Sequence, residues 1–161
     1  MRSEEDAERA IELYADTVRR ICMVHLKNYP DTEDIFQTVF LKYVLHSEPF
    51  ESEAHKKAWI IRVTINACKD LLKSFFRTKT VPLDQVGEIP RRDPGGGNDI
   101  FEAVLSLPSK YKDVVYLYYY EEYSAVEIGR ILGKKVNTVY TLLARARTLL
   151  KERLEGGTQI E

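Results

Sequence analysis

The chain has 161 residues, 44% of them hydrophobic and 30% charged, enough for one medium domain or two small ones. Lys plus Arg number 24 and Asp plus Glu number 25, so the formal charge is −1, which excludes a chain that coats nucleic acid by bulk positive charge. The longest apolar stretches, such as Val114–Tyr120, fall far short of the roughly 20 residues that span a bilayer, and the start Met1–Asp6 is acidic, so a cytoplasmic location without membrane insertion is expected.

Residues 7–29 place Ile11, Tyr14, Val18, Ile21, Cys22 and His25 at spacings of three and four, the pattern of one apolar helix face, and Pro30 is expected to stop that helix. Asp31 or Thr32 then caps a second helix, with Glu33 and Asp34 in its first turn and Ile35, Phe36, Val39, Phe40, Tyr43 and Val44 as its buried stripe, ending near His46. Ser47–Ser52, with Pro49, forms a loop. Ala54–Phe76 lacks proline and glycine and supports a long third helix. Cys22 and Cys68 stand isolated, with no Cys/His cluster around His25, His46 or His55, so neither a metal site nor a disulfide framework is expected.

Between Thr78 and Asn98 the periodicity fails around Pro82, Pro90, Pro94 and the triplet Gly95-Gly96-Gly97. A structureless segment of roughly 20 residues is uncommon inside one domain. The expectation is therefore an all-α chain of two small helical domains, 1–76 and 99–161, joined by a flexible linker at 77–98. The second half opens with a short helix Asp99–Leu105, and Ser109 then caps a helix running to about Glu121 with Tyr111, Val114, Val115, Leu117 and Tyr118 inward. Ser124 and Glu127 have capping-box spacing ahead of Ala125–Leu132, Gly133 ends that helix, and a last one runs from Asn137 or Thr138 to Leu154. Its apolar line is Val139, Leu142 or Leu143, Ala146, Leu149 and Leu150.

Ile128 and Leu132 inward, small Gly129, a turn at Gly133, and Val136 with Val139 packing back fit a helix-turn-helix as well as an ordinary helical hairpin. Charge decides between them. From Lys134 to Arg153 there are six cations and the single acid Glu152, a net +5 that leaves −6 for the remainder. Lys134, Lys135 and Asn137 can grip phosphate at the helix start, while Thr138, Tyr140, Thr141, Ala144 and Arg145 lie where a recognition helix meets base edges. In the first half, Lys56, Lys57, Trp59, Arg62, Asn66, Lys69 and Lys73 mix cations, an amide and the only tryptophan on one long helix. Such a face suits unpaired bases, or it is a solvated helix with Trp59 in the core. No P-loop, G-x-S-x-G or H-E-x-x-H is present, so no enzyme, cofactor or small-molecule substrate is expected. A one-component regulator, whose first half dimerises or senses a ligand, and a helical adaptor are the competing readings.

The segments Asp31-Thr32-Glu33-Asp34-Ile35-Phe36-Gln37-Thr38-Val39-Phe40-Leu41-Lys42, Lys57-Ala58-Trp59-Ile60-Ile61-Arg62-Val63-Thr64-Ile65-Asn66-Ala67-Cys68-Lys69-Asp70, Leu107-Pro108, Tyr123-Ser124-Ala125-Val126-Glu127-Ile128-Gly129 and Asn137-Thr138-Val139 through Ala144-Arg145-Ala146-Arg147 occur in that order. With them the chain resembles the extracytoplasmic-function type of bacterial RNA polymerase sigma factor, built from sigma regions two and four. The resemblance implies that Asp34, Gln37, Phe40, Leu41 and Lys42 dock on core RNA polymerase. It implies that the loop Ser47–His55 captures a flipped base, and that His55, Lys56, Trp59, Arg62, Asn66 and Lys69 hold the melted strand of the minus-ten element. Lys134, Lys135, Asn137, Thr138, Tyr140, Thr141, Ala144 and Arg145 would read the minus-thirty-five element as closed duplex. It implies three partners: core polymerase, promoter DNA and an inhibitory anti-sigma factor. Two departures stand out. Tyr140, Thr141 and Leu142 replace the basic residue, Ser and Arg of the family pattern, and the loop before Lys56 carries Glu48, Glu51 and Glu53.

Overall fold

The computed structural model describes residues 1–78 and 99–159. The chain divides into two compact units, Met1–Pro90 and Arg91–Glu161. The division falls inside the segment expected to be a linker, of which residues 79–98 lie outside the described ones. All described regular structure is helical.

In the first unit, α1 (Glu4–Leu26) begins three residues before the expected start. Ser3 caps it by accepting from the Asp6 N–H, and Glu4, Glu5 and Asp6 complement the positive end of its dipole. It stops at Lys27, whose left-handed backbone (φ 61°) lets its N–H donate to the Met23 carbonyl. Pro30 is therefore not the terminator. It lies in the first turn of α2 (Tyr29–Leu45), where the missing N–H costs nothing, and Asn28, rather than Asp31 or Thr32, is the cap, accepting from the Asp31 N–H at 2.9 Å. Thr32 is instead buried, its hydroxyl donating to the Asn28 carbonyl at 2.7 Å. The third helix, α3, spans Glu53–Thr78.

These three helices pack mutually. Tyr14, Val18 and Cys22 from α1, Ile35, Val39, Phe40 and Tyr43 from α2, and Ile60, Ala67 and Cys68 from α3 form one core cluster. Ile11, expected on the buried face, is half exposed, and Ala10 takes its place. The two cysteines, far apart in sequence, are both buried and outside any disulfide, with sulfurs 3.8 Å apart. On the surface Arg19 grips Glu33 through two hydrogen bonds of 3.0 and 3.1 Å and lays its guanidinium 4.1 Å from the Phe36 ring, fastening α1 to α2.

In the second unit, α4 (Asp99–Leu105) and α5 (Ser109–Val115) precede a π-helical turn, Tyr116–Tyr120, then α6 (Ala125–Leu132) and α7 (Val136–Gln159). The helix expected from Ser109 to Glu121 is thus split. Residues 111–117 are all buried, a run that one regular helix face cannot hide, and the wider turn, with the Glu121 N–H donating to the Tyr116 carbonyl, resets the phase. Ser109 is the first helical residue and not the cap; Pro108 precedes it without a side-chain cap bond. Tyr118 is only half-buried and Tyr116 is buried in its stead. Both halves of the Ser124–Glu127 capping box form, at 3.1 and 2.9 Å, and Gly133 (φ 67°) closes α6. Helix α7 packs on α4, α5 and α6, burying Val139, both Leu142 and Leu143, and Ala146.

Candidate nucleic-acid interface

The joint between α6 and α7 is built on close backbone approach. The Lys134 N–H donates to the Gly129 carbonyl at 2.8 Å, and a Cβ placed on Gly129 would lie 2.7 Å from the Lys134 carbonyl oxygen. Only glycine fits this geometry unstrained. Ile128, Ile131 and Val139 are buried around it, while Leu132 and Val136 are half-buried at its edge. From this joint α7 projects Asn137, Thr138, Tyr140, Thr141, Ala144 and Arg145, all exposed, opposite its buried residues. Thr141 and Thr148 donate their hydroxyls to the Asn137 and Ala144 carbonyls, so their methyls and lone pairs remain for a partner. Ala144, Arg145 and Thr148 line a shallow groove of about 370 Å³ with Tyr111, Leu149 and Glu152.

The six cations of this segment do not act as one patch. Arg147 donates to the Tyr119 hydroxyl at 2.5 Å and lies over the Tyr118 and Tyr119 rings, and that phenol hydrogen bond holds its pKa raised. Arg153 bonds the Ser106 carbonyl and hydroxyl, and Lys151 pairs with Glu155. Lys134, half-buried, and Lys135, exposed, immediately precede α7, and Arg145 is exposed further along the helix.

In the first unit, His55, Trp59, Arg62, Asn66 and Lys69 recur every three or four residues along one face of α3. His55, Arg62 and Asn66 are exposed; Trp59 and Lys69 are half-buried. Trp59 packs against the core, its ring centroid 4.7 Å from His46, 5.6 Å from Phe50 and 6.2 Å from Tyr43. Lys56 turns inward, paired with Glu53 at 3.3 Å and 5.8 Å above the Tyr43 ring; burial opposes its charge, but Tyr43 and Glu53 outweigh it and its pKa is raised. Glu53 is likewise engaged, accepting from the Tyr14 hydroxyl at 2.7 Å, so of the three loop acids only Glu48 and Glu51 face outward without a side-chain partner among the described residues.

On α2, Asp34, Gln37, Leu41 and Lys42 are exposed, Leu41 by 60%. Phe40 is 5% exposed and sits in the core, so it supports this surface from beneath and is not on it. Leu45, one turn beyond Leu41 and 59% exposed, extends the apolar strip and went unnamed in the sequence because it continues a hydrophobic run. His46, the C-cap of α2, and Phe50, inside the loop Ser47–His55, were not singled out individually, since neither belongs to a periodic apolar face.

Three carboxylates of the first unit lie below their ordinary values: Asp6 through the Tyr43 hydroxyl and then Arg2, Glu33 through Arg19, and Glu53 through the Tyr14 hydroxyl and then Lys56. Groups depressed by folding stabilise it above their unfolded pKa and lose that contribution as pH falls through the folded one. Trp59 is the only tryptophan, so its fluorescence reports this unit alone. The melting midpoint read from Trp59 is expected to hold steady near neutrality and to drop as pH falls below the ordinary carboxylate range; a midpoint unchanged down to pH 3 would contradict these three bonds.

Among the described residues no group of three His, Cys, Asp or Glu side chains could hold a metal ion, and no helix is long and apolar enough to cross a membrane. Two family models match the chain, Sigma-70 region 2 over residues 10–77 and Sigma-70, region 4 over residues 98–150. It is similar to the ECF RNA polymerase sigma factor SigW of Bacillus subtilis, at 26% identity covering 89% of this chain and 86% of that one. It is also similar to the sigma factor SigV of Bacillus subtilis, at 26% identity over 84% and 82% of the two chains. Its fold matches that of the sigma factor RpoE solved in complex with the anti-sigma factor NepR from Bartonella quintana, with a TM-score of 0.78, 19% identity and 94% and 98% coverage. It also matches CnrH, solved with the cytosolic domain of CnrY, with a TM-score of 0.69, 17% identity and 96% and 90% coverage.

Proposed function

This chain belongs to the sigma-70 family, as a sigma factor of the extracytoplasmic-function type carrying regions 2 and 4, and from that premise we propose how its surfaces start transcription. It is an alternative sigma factor: it binds core RNA polymerase, directs it to particular promoters and promotes DNA melting. It works in the cytoplasm, and its own part is recognition, not catalysis. The strip of Leu41 and Leu45, flanked by Asp34, Gln37 and Lys42, docks on polymerase, the apolar side chains supplying buried area and the charges supplying register.

The α3 face of His55, Arg62, Asn66 and Lys69, beside the aromatic loop, holds the unpaired strand of the minus-ten element, and α7 enters the major groove at the minus-thirty-five element. The observation that carries this division is the difference between two exposed surfaces on one small chain. One is a polar recognition helix with cations at its start, suited to closed duplex. The other is a cation and amide stripe next to clustered rings, suited to unpaired bases. An anti-sigma factor covers these surfaces when polymerase does not; the structural relative RpoE was solved in complex with the anti-sigma factor NepR.

The test is co-elution of the purified protein with bacterial core RNA polymerase, followed by initiation from defined promoter templates. Binding to core with promoter-dependent initiation is expected. Tight duplex binding with no affinity for core would overturn the reading in favour of a one-component regulator. Within the holoenzyme, Arg145→Ala is expected to weaken recognition of the upstream element by about 1–3 kcal/mol, selectively at one base position, with core binding unchanged. Competition between upstream-element variants measures this, and an equal loss on every sequence would reassign Arg145 to a phosphate.

A further inference from the structure

Arg2, at the start of the chain, reaches across to the loop between α2 and α3. Its backbone N–H donates to the Val44 carbonyl at 2.9 Å, its Nε to the Tyr43 carbonyl at 3.2 Å, and its Nη2 to the Glu48 carbonyl at 2.8 Å. The guanidinium carbon lies 4.7 Å from the Tyr43 ring centroid and 4.9 Å from that of Phe50. Asp6 fixes the orientation of this fork, accepting from Arg2 Nη1 at 3.3 Å and from the Tyr43 hydroxyl at 2.6 Å. The Arg2 side chain is only 14% exposed, so its bonds to Tyr43 and Asp6 are partly shielded from water, which strengthens charge-assisted bonds and cation–π contacts, while its bond to Glu48 lies at the surface.

One planar cation therefore joins the end of α2, a mid-loop carbonyl and the loop's aromatic residue. Phe50 in turn meets His46 at 5.2 Å, His55 at 5.4 Å and Trp59 at 5.6 Å, so its position governs the rings at the start of the α3 stripe. A loop that must receive an extruded base binds it more tightly when it is already shaped, because ordering it at the moment of capture costs conformational entropy. Lysine lacks the planar fork that reaches two carbonyls and a carboxylate together.

We propose that Arg2 is a positioning residue for minus-ten recognition, holding residues 46–52 and Phe50 in the shape that receives the flipped base. This rests on the reading that the loop and the α3 stripe face the melted strand. The test uses holoenzyme reconstituted with core polymerase on a promoter selected from a randomised library by the wild-type holoenzyme, with every single-base change in both promoter elements. Arg2→Ala is expected to co-elute with core as wild type does and to lose about tenfold in discrimination at one minus-ten position, equivalent to about 1.4 kcal/mol. Discrimination at minus thirty-five stays intact. Arg2→Lys recovers little of the loss.

Asp6→Asn, which keeps Arg2 but removes the charge that aims it, is expected to shift minus-ten discrimination in the same direction by less, and serves where Arg2→Ala lowers the Trp59 melting midpoint. Unchanged minus-ten discrimination in both Arg2→Ala and Asp6→Asn overturns the proposal, as does an equal loss at both promoter elements. If the wild-type holoenzyme itself shows no base preference at minus ten, the underlying reading has failed and the proposal falls with it.

Discussion

Gly129→Val is expected to unfold the C-terminal unit while the N-terminal unit stays folded. A Cβ at this position meets the Lys134 backbone oxygen at 2.7 Å, and backbone cannot rotate away as a side-chain tip can. Valine adds two methyl groups to that clash, so α7 must lift from α6 and expose the surface around Ile128 and Val139, both fully buried. Overpacking of this kind costs about 3 kcal/mol, a large share of what a unit this small has in reserve. Gly129→Ala costs less, about 1 kcal/mol, because better helix propensity offsets part of the strain. Helical circular dichroism on heating reads the loss, and Trp59 fluorescence in the same sample is expected to report an unshifted first unit. A full-strength helical transition in the valine variant would contradict the close-approach geometry.

Trp59→Ala is expected to destabilise the first unit by about 2–3 kcal/mol, below the range for a fully buried tryptophan because the ring is half-buried. The ring is a packing element of the His46, Phe50 and Tyr43 cluster, so its removal also loosens the loop those residues form. Arg62→Ala, one turn along and exposed, is the control: stability should stay within about 0.5 kcal/mol while binding of a single-stranded minus-ten oligonucleotide weakens. Urea midpoints by circular dichroism measure both. Stability unchanged in Trp59→Ala, with oligonucleotide binding lost, would make the tryptophan a stacking platform for bases.

Helix by helix, the sequence was legible wherever a period near 3.6 met a local stop or start signal. Ala125–Leu132 has the expected bounds because a capping box and a left-handed glycine both act within four residues of the helix they delimit. The α1–α2 corner was misplaced because Pro30 satisfies either role locally; Asn28, with a side chain that can reach the Asp31 N–H, makes it a starter. The break at Tyr116 was hidden because residues 114–120 are an unbroken apolar and aromatic run, and only the burial of residues 111–117, Lys112 and Asp113 among them, demands a change of phase.

At the candidate sites the same boundary holds. The outward residues of α7 followed from the apolar line of the helix itself, since its buried side is marked by Val139, Leu143 and Ala146. Side chains whose partners lie far along the chain did not follow. Arg147 and Arg153 counted as free cations until Tyr119 and Ser106 claimed them, and Phe40, buried by its periodicity but placed on the docking surface by the resemblance, sits in the core.

From residue order alone came the helices, their apolar faces, the glycine joint and the local excess of positive charge before Arg153, because each depends on neighbours within one or two turns. Tertiary packing alone decided which charges stay available, that the two cysteines meet, and that Arg2 reaches the loop before α3. Those outcomes depend on groups 28 to 47 residues apart, and only the packed helices bring such groups within hydrogen-bonding or contact distance.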